Sequence, residues 1–315
     1  MGSRRQAVKI RRTGPSLGER ARAALRVVWR PLVIWVLPTA VLITACWAGL
    51  RACRSYVAGA PGYHVVAPKI GTPDPRPDWW GMAEDQINAA CASTLTDETS
   101  ILDESVLERI AEGYGRCPWI KDVQWVRKQF PNRVEANLLV RWPAAAVRIE
   151  TDAGFTYCLV GEDGVRLPKS YHDFDWPPPG LDVPYITGVA APVPEPGEPW
   201  GEASVADAIA IVAGLRESEI IKEAVHITEV DVSNHGGRAR PTESEFLVHA
   251  EGNCVIEWGR APDTNRPGEL TVRKKIEKLE RYLADGNPIR NRTLGLRFAG
   301  RRVVRRRHAA HGDSG

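Results

Sequence analysis

The signature motifs of common catalytic folds are missing from this 315-residue chain. It has no Gly-x-Ser-x-Gly elbow, no His-Glu-x-x-His helix and no phosphate loop ending in Gly-Lys-Ser/Thr. Acyl transfer, zinc hydrolysis and nucleotide binding therefore have no local sequence support. Internal repeats are absent, and the spacings of the six cysteines fit no zinc motif. Acid is almost absent from the start of the chain. Residues 1–30 hold nine Lys/Arg against Glu19 alone, a local charge of +8 that leaves −5 for the remainder of a chain totalling +3. Charge of either sign is missing from residues 31–50, "PLVIWVLPTAVLITACWAGL".

A basic head can signal nucleic-acid binding, but the charge-free run behind it argues for a membrane. Twenty apolar residues suffice to cross a hydrocarbon core of about 30 Å as a helix. Pro38 is tolerated in such a helix, and the arginine excess places the N-terminus in the cytoplasm. A cleaved signal peptide, with its site at Val57 to Ala60, is the competing reading. A thirty-residue head and a twenty-residue core exceed the usual signal-peptide dimensions, so a retained anchor is expected. Outside the cytoplasm disulfides persist. Cys91 and Cys117 flank a helical segment and are the candidate pair, with free buried thiols as the alternative.

The remaining chain divides into a short α/β stretch and a longer strand-rich one. Tyr63 to Val66 can form a short strand. "GMAEDQINAACASTL" and "SILDESVLERIAEGYGR" read as helices, the second with Leu102, Val106 and Ile110 on one face, Asp103 as its cap, and Gly113 and Gly115 at its end. Val134, Ala136, Leu138 and Val140 then alternate as in a half-buried strand. Residues 120–130 supply its partner, and Pro131 with Asn132 the turn. Further on, "FTYCLVGEDGVRLP" reads as a hairpin, and residues 204–216 as a helix with Val205, Ile209, Val212 and Leu215 in one stripe. "HITEVDVS" and "ESEFLVHAEGNCVIEWG" read as strands, with Gly252 and Asn253 turning the second stretch. "ELTVRKKIEKLERYLADG" is the clearest helix. Val272, Ile276, Leu279 and Leu283 face inward, Glu269–Arg273 and Glu277–Arg281 are expected ion pairs, and Gly286 stops it. "RTLGLRFAGRRVVRRR" reads as two strands around Ala299 and Gly300.

In this order the stretches "DESVLERI", "CPWIKDVQWVRKQFPNRVEANLLV", "RWPAAAV", "LVGEDGVRLP", "PYITG", "EWG" before "KKIEKLERYL", and "GLRFAGRRVV" resemble the FtsQ/DivIB family of bacterial cell-division proteins. The likeness covers roughly residues 31–307. Val140 stands where the family usually has glutamate, and Gly295 where it has aspartate. The resemblance implies an α+β fold with one transmembrane helix, then a small POTRA-type α/β domain, then a β-rich domain with two or more helices on a mostly antiparallel sheet. The expected domains are a basic cytoplasmic tail (1–30), a transmembrane helix (31–50), a linker and POTRA domain (51–147), a β domain (148–307) and a disordered tail (308–315).

The same resemblance implies a bitopic inner-membrane scaffold at the division septum, with most of the chain outside the cytoplasm. It would bind membrane-anchored partners of the FtsB and FtsL kind and help regulate septal cell-wall synthesis. No catalysis, cofactor, nucleic acid or small-molecule substrate is expected. Export or outer-membrane assembly is an alternative for a POTRA protein, but the large barrel it needs is not evident. An unrelated membrane-anchored adhesion module is another. The expected partner-binding residues are Gly300, Arg301, Arg302, Val303, Val304 and Arg305 on a last edge strand, with Arg127 and Arg133 on the earlier hairpin. His172, Asp173 and Asp175 are the best metal candidate, read here as a polar loop rich in aromatics.

Overall fold

The computed structural model describes residues 35–66, 68, 76–262, 264, 267–300 and 303–305. The predicted basic tail, residues 31–34 of the predicted span and the 308–315 tail lie outside these. The chain divides into two compact units, residues 1–64 and 65–315.

In the first unit helix α1 (Leu37–Ala58) has no buried residue and is followed by a 3-10 turn, Pro61–Tyr63. The expected transmembrane helix is not found: no helix among the described residues is long and apolar enough to cross a membrane. The α-helix runs over Leu37–Ala58, past residue 50 through Arg51, Arg54 and Ser55. Its C-terminal turns thus replace apolar length with charge, which is costly in hydrocarbon.

The second unit is mixed α+β and dominated by sheet. Helices α2 (Trp80–Ala92) and α3 (Val106–Gly115) pack against an antiparallel hairpin, β1 (Ile120–Gln129) and β2 (Arg133–Val140). The expected strand at 63–66 is reduced to isolated bridges, that of Val66 being parallel with Arg133. Helix α3 begins after Leu102, with Val106 and Ile110 fully buried. Asp103 does not cap it directly. Its carboxylate accepts bonds from the backbone N–H of Ser105 and the Arg109 guanidinium, bracing the turn just before the helix.

Strands β3 (Pro143–Thr151), β4 (Gly154–Gly161), β5 (Arg166–His172), β6 (Tyr185–Thr187), β7 (Ile227–Asp231), β8 (Phe246–Ala250), β9 (Cys254–Gly259), β10 (Arg292–Gly295) and β11 (Val303–Arg305) form one sheet. Their spatial order is β11-β10-β9-β8-β7-β6-β3-β4-β5. Five of the eight pairings are antiparallel, and β9–β10, β7–β6 and β6–β3 are parallel. Helices α4 (Ala203–Arg216), α5 (Glu219–Ala224) and α6 (Val272–Ala284) contribute to the core on one face, where Val147, Val160, Ile186, Val230, Val248 and Ile256 meet Val205, Ile209, Val212, Leu215 and Leu279.

Among the described residues, the opposite face is covered at one end. Ala146, Tyr157, Leu159 and Leu167 point the other way and join Trp80, Ile87, Ile110, Trp119 and Val134 in a second core. Strands β3 and β4 are therefore buried on both sides, as alternation of side chains across a pleated strand permits. Strand β3 runs through residue 147 without a break.

The quoted motifs act at this junction. Trp119 is fully buried, stacks on Trp79 with ring centroids 5.8 Å apart, and donates its indole N–H to the Gln86 amide oxygen at 2.8 Å. Arg141 donates to the carbonyl oxygens of Pro118 and Ile120 and to the Asp163 carboxylate, at 2.8 Å for the last. It thus ties the base of the hairpin to the turn between β4 and β5.

Close approach of α2 and α3 requires a glycine. A Cβ on Gly113 would lie 2.5 Å from Thr94 Cγ2 and 3.0 Å from the Ala90 carbonyl oxygen. Gly113→Ala is expected to destabilise the fold by about 1–3 kcal/mol in urea unfolding, the usual cost of overpacking. Combination with Thr94→Ala should recover part of that loss, because one of the two obstructing atoms is then gone.

Candidate partner-binding site at the sheet edge

Three of the residues expected to receive a partner, Val303, Val304 and Arg305, form β11. Arg305, Val304 and Val303 pair antiparallel with Arg292, Thr293 and Leu294, which makes β11 the terminal strand. No strand among the described residues pairs with its outer side. Gly300 is exposed in the connection from β10, whereas Arg301 and Arg302 lie outside the described residues.

The opposite edge is treated differently. Beside β5, the segment 194–199 bonds to Arg166 through Arg166 N–H to Glu198 O (2.9 Å) and Gly197 N–H to Arg166 O (2.8 Å), and Val165 bridges Pro199. Prolines at 192, 194, 196 and 199 cannot donate to a further strand, so the start of this edge is closed to pairing.

Arg127 and Arg133 are not brought to β11; they sit in the separate two-stranded sheet. Arg127 lies opposite Glu135 and pairs with it at 2.6 Å while its guanidinium covers the Trp125 ring at 4.6 Å. Its charge is thus engaged within the hairpin. Arg133 is exposed at the start of β2.

An ionic cluster that sequence reading missed supports the edge strands from within. Lys275, on α6, is only 3% exposed. It donates to Glu269 at 2.8 Å and places its ammonium 5.0 Å from the Trp258 ring centre. Glu269 also accepts from the Arg260 backbone N–H at 2.8 Å and faces Arg297 at 3.8 Å, while Arg260 pairs with Glu245 at 3.0 Å. Burial lowers the Lys275 pKa, and the Glu269 carboxylate opposes that shift. The expected Glu269–Arg273 pair does not form because the helix starts at Val272, leaving Glu269 off its surface; Glu277 pairs with Arg273. Gly259, at φ +103°, is required here, since a Cβ would collide with the Glu269 carboxylate. A signal for Lys275 existed in the sequence. It falls three residues after Val272 and four before Leu279, on the apolar stripe itself.

Beside this cluster, on the sheet face away from the helices, lies a groove of about 710 Å³ lined by Asp231, Leu247, Glu257, Gly295 and Phe298 among others. Asp231, Leu247, Glu257 and Gly295 are register partners across four strands.

The other candidates resolve into local structure. Asp173 accepts from the Tyr157 hydroxyl at 3.2 Å, and His172 stacks on Phe174. No group of three or more His, Cys, Asp or Glu among the described residues is placed to hold a metal. Cys91 and Cys117 are separate buried thiols, not a disulfide. Burial raises both pKa values, and for Cys91 a bond with Tyr114 works against the rise.

No protein-family model matches the chain, and no curated protein sequence matches it. The likeness to FtsQ/DivIB rests on the order of the quoted landmarks.

Glu269→Gln is expected to destabilise the protein by about 3–5 kcal/mol, because Lys275 is left buried without its carboxylate. Adding Lys275→Met should recover much of this in urea unfolding, since the buried charge is then removed as well. Denaturation without reductant should expose both Cys91 and Cys117 to alkylation; a linked peptide in mass mapping would contradict the free thiols.

Proposed function

We propose that this chain is a non-enzymatic scaffold of the bacterial division machinery, acting at the septum outside the cytoplasm. The outer side of β11 receives an extended segment of an FtsB- or FtsL-like partner, and through it the chain helps regulate septal cell-wall synthesis. The observation that carries this reading is the asymmetry of the sheet: a proline-rich segment covers the start of one edge, and no strand among the described residues covers the other. An open edge offers a row of backbone donors and acceptors to a partner strand. Arginines also guard edges against self-pairing, but Val303 and Val304 keep the middle of this strand apolar. The arginines around them favour an acidic segment, with charge governing encounter and backbone bonds governing lifetime.

Val303→Pro and Val304→Pro, assayed separately, test strand addition. Neighbouring residues of a strand point their N–H groups to opposite sides, so one proline removes a donor facing the partner and the other a donor facing β10. At least one should weaken binding of the FtsB-like segment by tenfold or more while circular dichroism stays native. Unchanged affinity in both folded variants would sink the strand-addition reading. Arg302→Glu with Arg305→Glu should slow association and flatten its salt dependence, leaving dissociation nearly unchanged. A fluorescent fusion should concentrate at midcell in dividing cells; a uniform envelope signal would count against the division role.

A further inference from the structure

Strand β11 has only three register pairs with β10, and seven residues, 296–302, connect the two. So short a ribbon is marginal by itself, and closing the connection costs chain entropy. The first part of the connection is well anchored. Leu296 is buried and donates its N–H to Glu257 O at 3.0 Å, and Arg297 donates to Thr242 O at 2.7 Å. Beyond Arg297 the attachment comes from the opposite side of the sheet. Lys278, on α6, donates its ammonium to three carbonyl oxygens: Gly295 at 2.6 Å, Phe298 at 2.8 Å and Gly300 at 3.0 Å.

We propose that Lys278 is the positioning residue of the edge strand, a latch that draws the Phe298 to Gly300 turn onto α6 and so holds β11 in register. The stoichiometry fits, since an ammonium has three donors and no acceptor, and three carbonyls meet it. Without the cation those carbonyl dipoles would converge on one another with nothing between them. Gly300 therefore serves the edge through its backbone oxygen as the third acceptor. The latch also fixes Phe298, more than half exposed at 55%, as one wall of the groove. Its consequence for partner capture rests on the strand-addition reading, whereas the latch belongs to the free protein.

Hydrogen exchange on the full chain without partner tests it. In Lys278→Met, which keeps the length of the stem and removes the donors, amides of residues 303–305 should exchange about tenfold faster or more. Amides of α6 and β9 should stay within about twofold of the parent. Lys278→Arg, which keeps charge and donors, should restore most of the β11 protection. Arg273→Met, on the exposed face of the same helix, should leave it untouched. Unchanged β11 exchange in Lys278→Met, or acceleration spread equally over α6 and β9, would overturn the latch. A measurement on the parent protein needs no variant to fold. Under brief acetylation of amines, Lys278 should react about tenfold more slowly than exposed Lys274, and equal rates would also overturn it. Because no partner is present in either experiment, a failed latch and a failed scaffold role give separate results.

Discussion

Two strands of this sheet, β3 and β4, are buried on both faces, and the rest of the architecture follows from that constraint. Side chains alternate across a pleated strand, so β3 and β4 can supply Val147, Cys158 and Val160 to one core and Ala146, Tyr157 and Leu159 to the other. The small α/β stretch is consequently fixed to one end of the sheet. Trp119 and Arg141 strengthen the junction, one by filling the shared core and the other by bonding carbonyls and a carboxylate from both sides of it.

Fixing that end leaves the other with a different character. The start of the β5 edge is covered by the 194–199 segment, and the β11 edge has no such cover among the described residues. Register partners run in one row from Leu159 and Ala146 through Tyr185, Glu229, His249, Val255 and Thr293 to Val304. That row begins in a dry core and ends at an open strand. A partner that reads the far end would thus meet a frame whose near end is held by packing.

The edge strands are supported by charge more than by apolar area. Glu269, Lys275, Arg297, Arg260 and Glu245 form a buried network beneath β9 and β10, and Lys278 ties the last turn to α6. Buried ion pairs seldom add net stability over apolar packing, but they penalise every arrangement that leaves one member unpaired. This suits a place where register matters. A shift of one residue in β10 would reverse its faces and separate Arg297 from Glu269.

Local structure was legible in the amino-acid sequence where the pattern is short in range. The β1–β2 hairpin, the stripe of Val205, Ile209, Val212 and Leu215 on α4, the Gly252 and Asn253 turn with positive φ at both residues, and the last strand pair could each be read from neighbouring residues. Periodicity reports which face of an element is apolar, and turn residues report where the chain reverses. Neither reports which strand lies beside which. The parallel neighbours β9 and β10, the insertion of β6 between β3 and β7, and the covering of the start of β5 by a proline-rich segment came only with the tertiary structure. The twenty-residue apolar run led to the expectation of a membrane helix, yet the helix Leu37–Ala58 continues through Arg51 and Arg54, because helix limits depend on termini that hydropathy does not encode. Lys275 and Lys278 show the same division. Sequence spacing puts both on the sheet side of α6, but only the folded chain brings a carboxylate to one and three carbonyls to the other, since those partners come from beyond the helix.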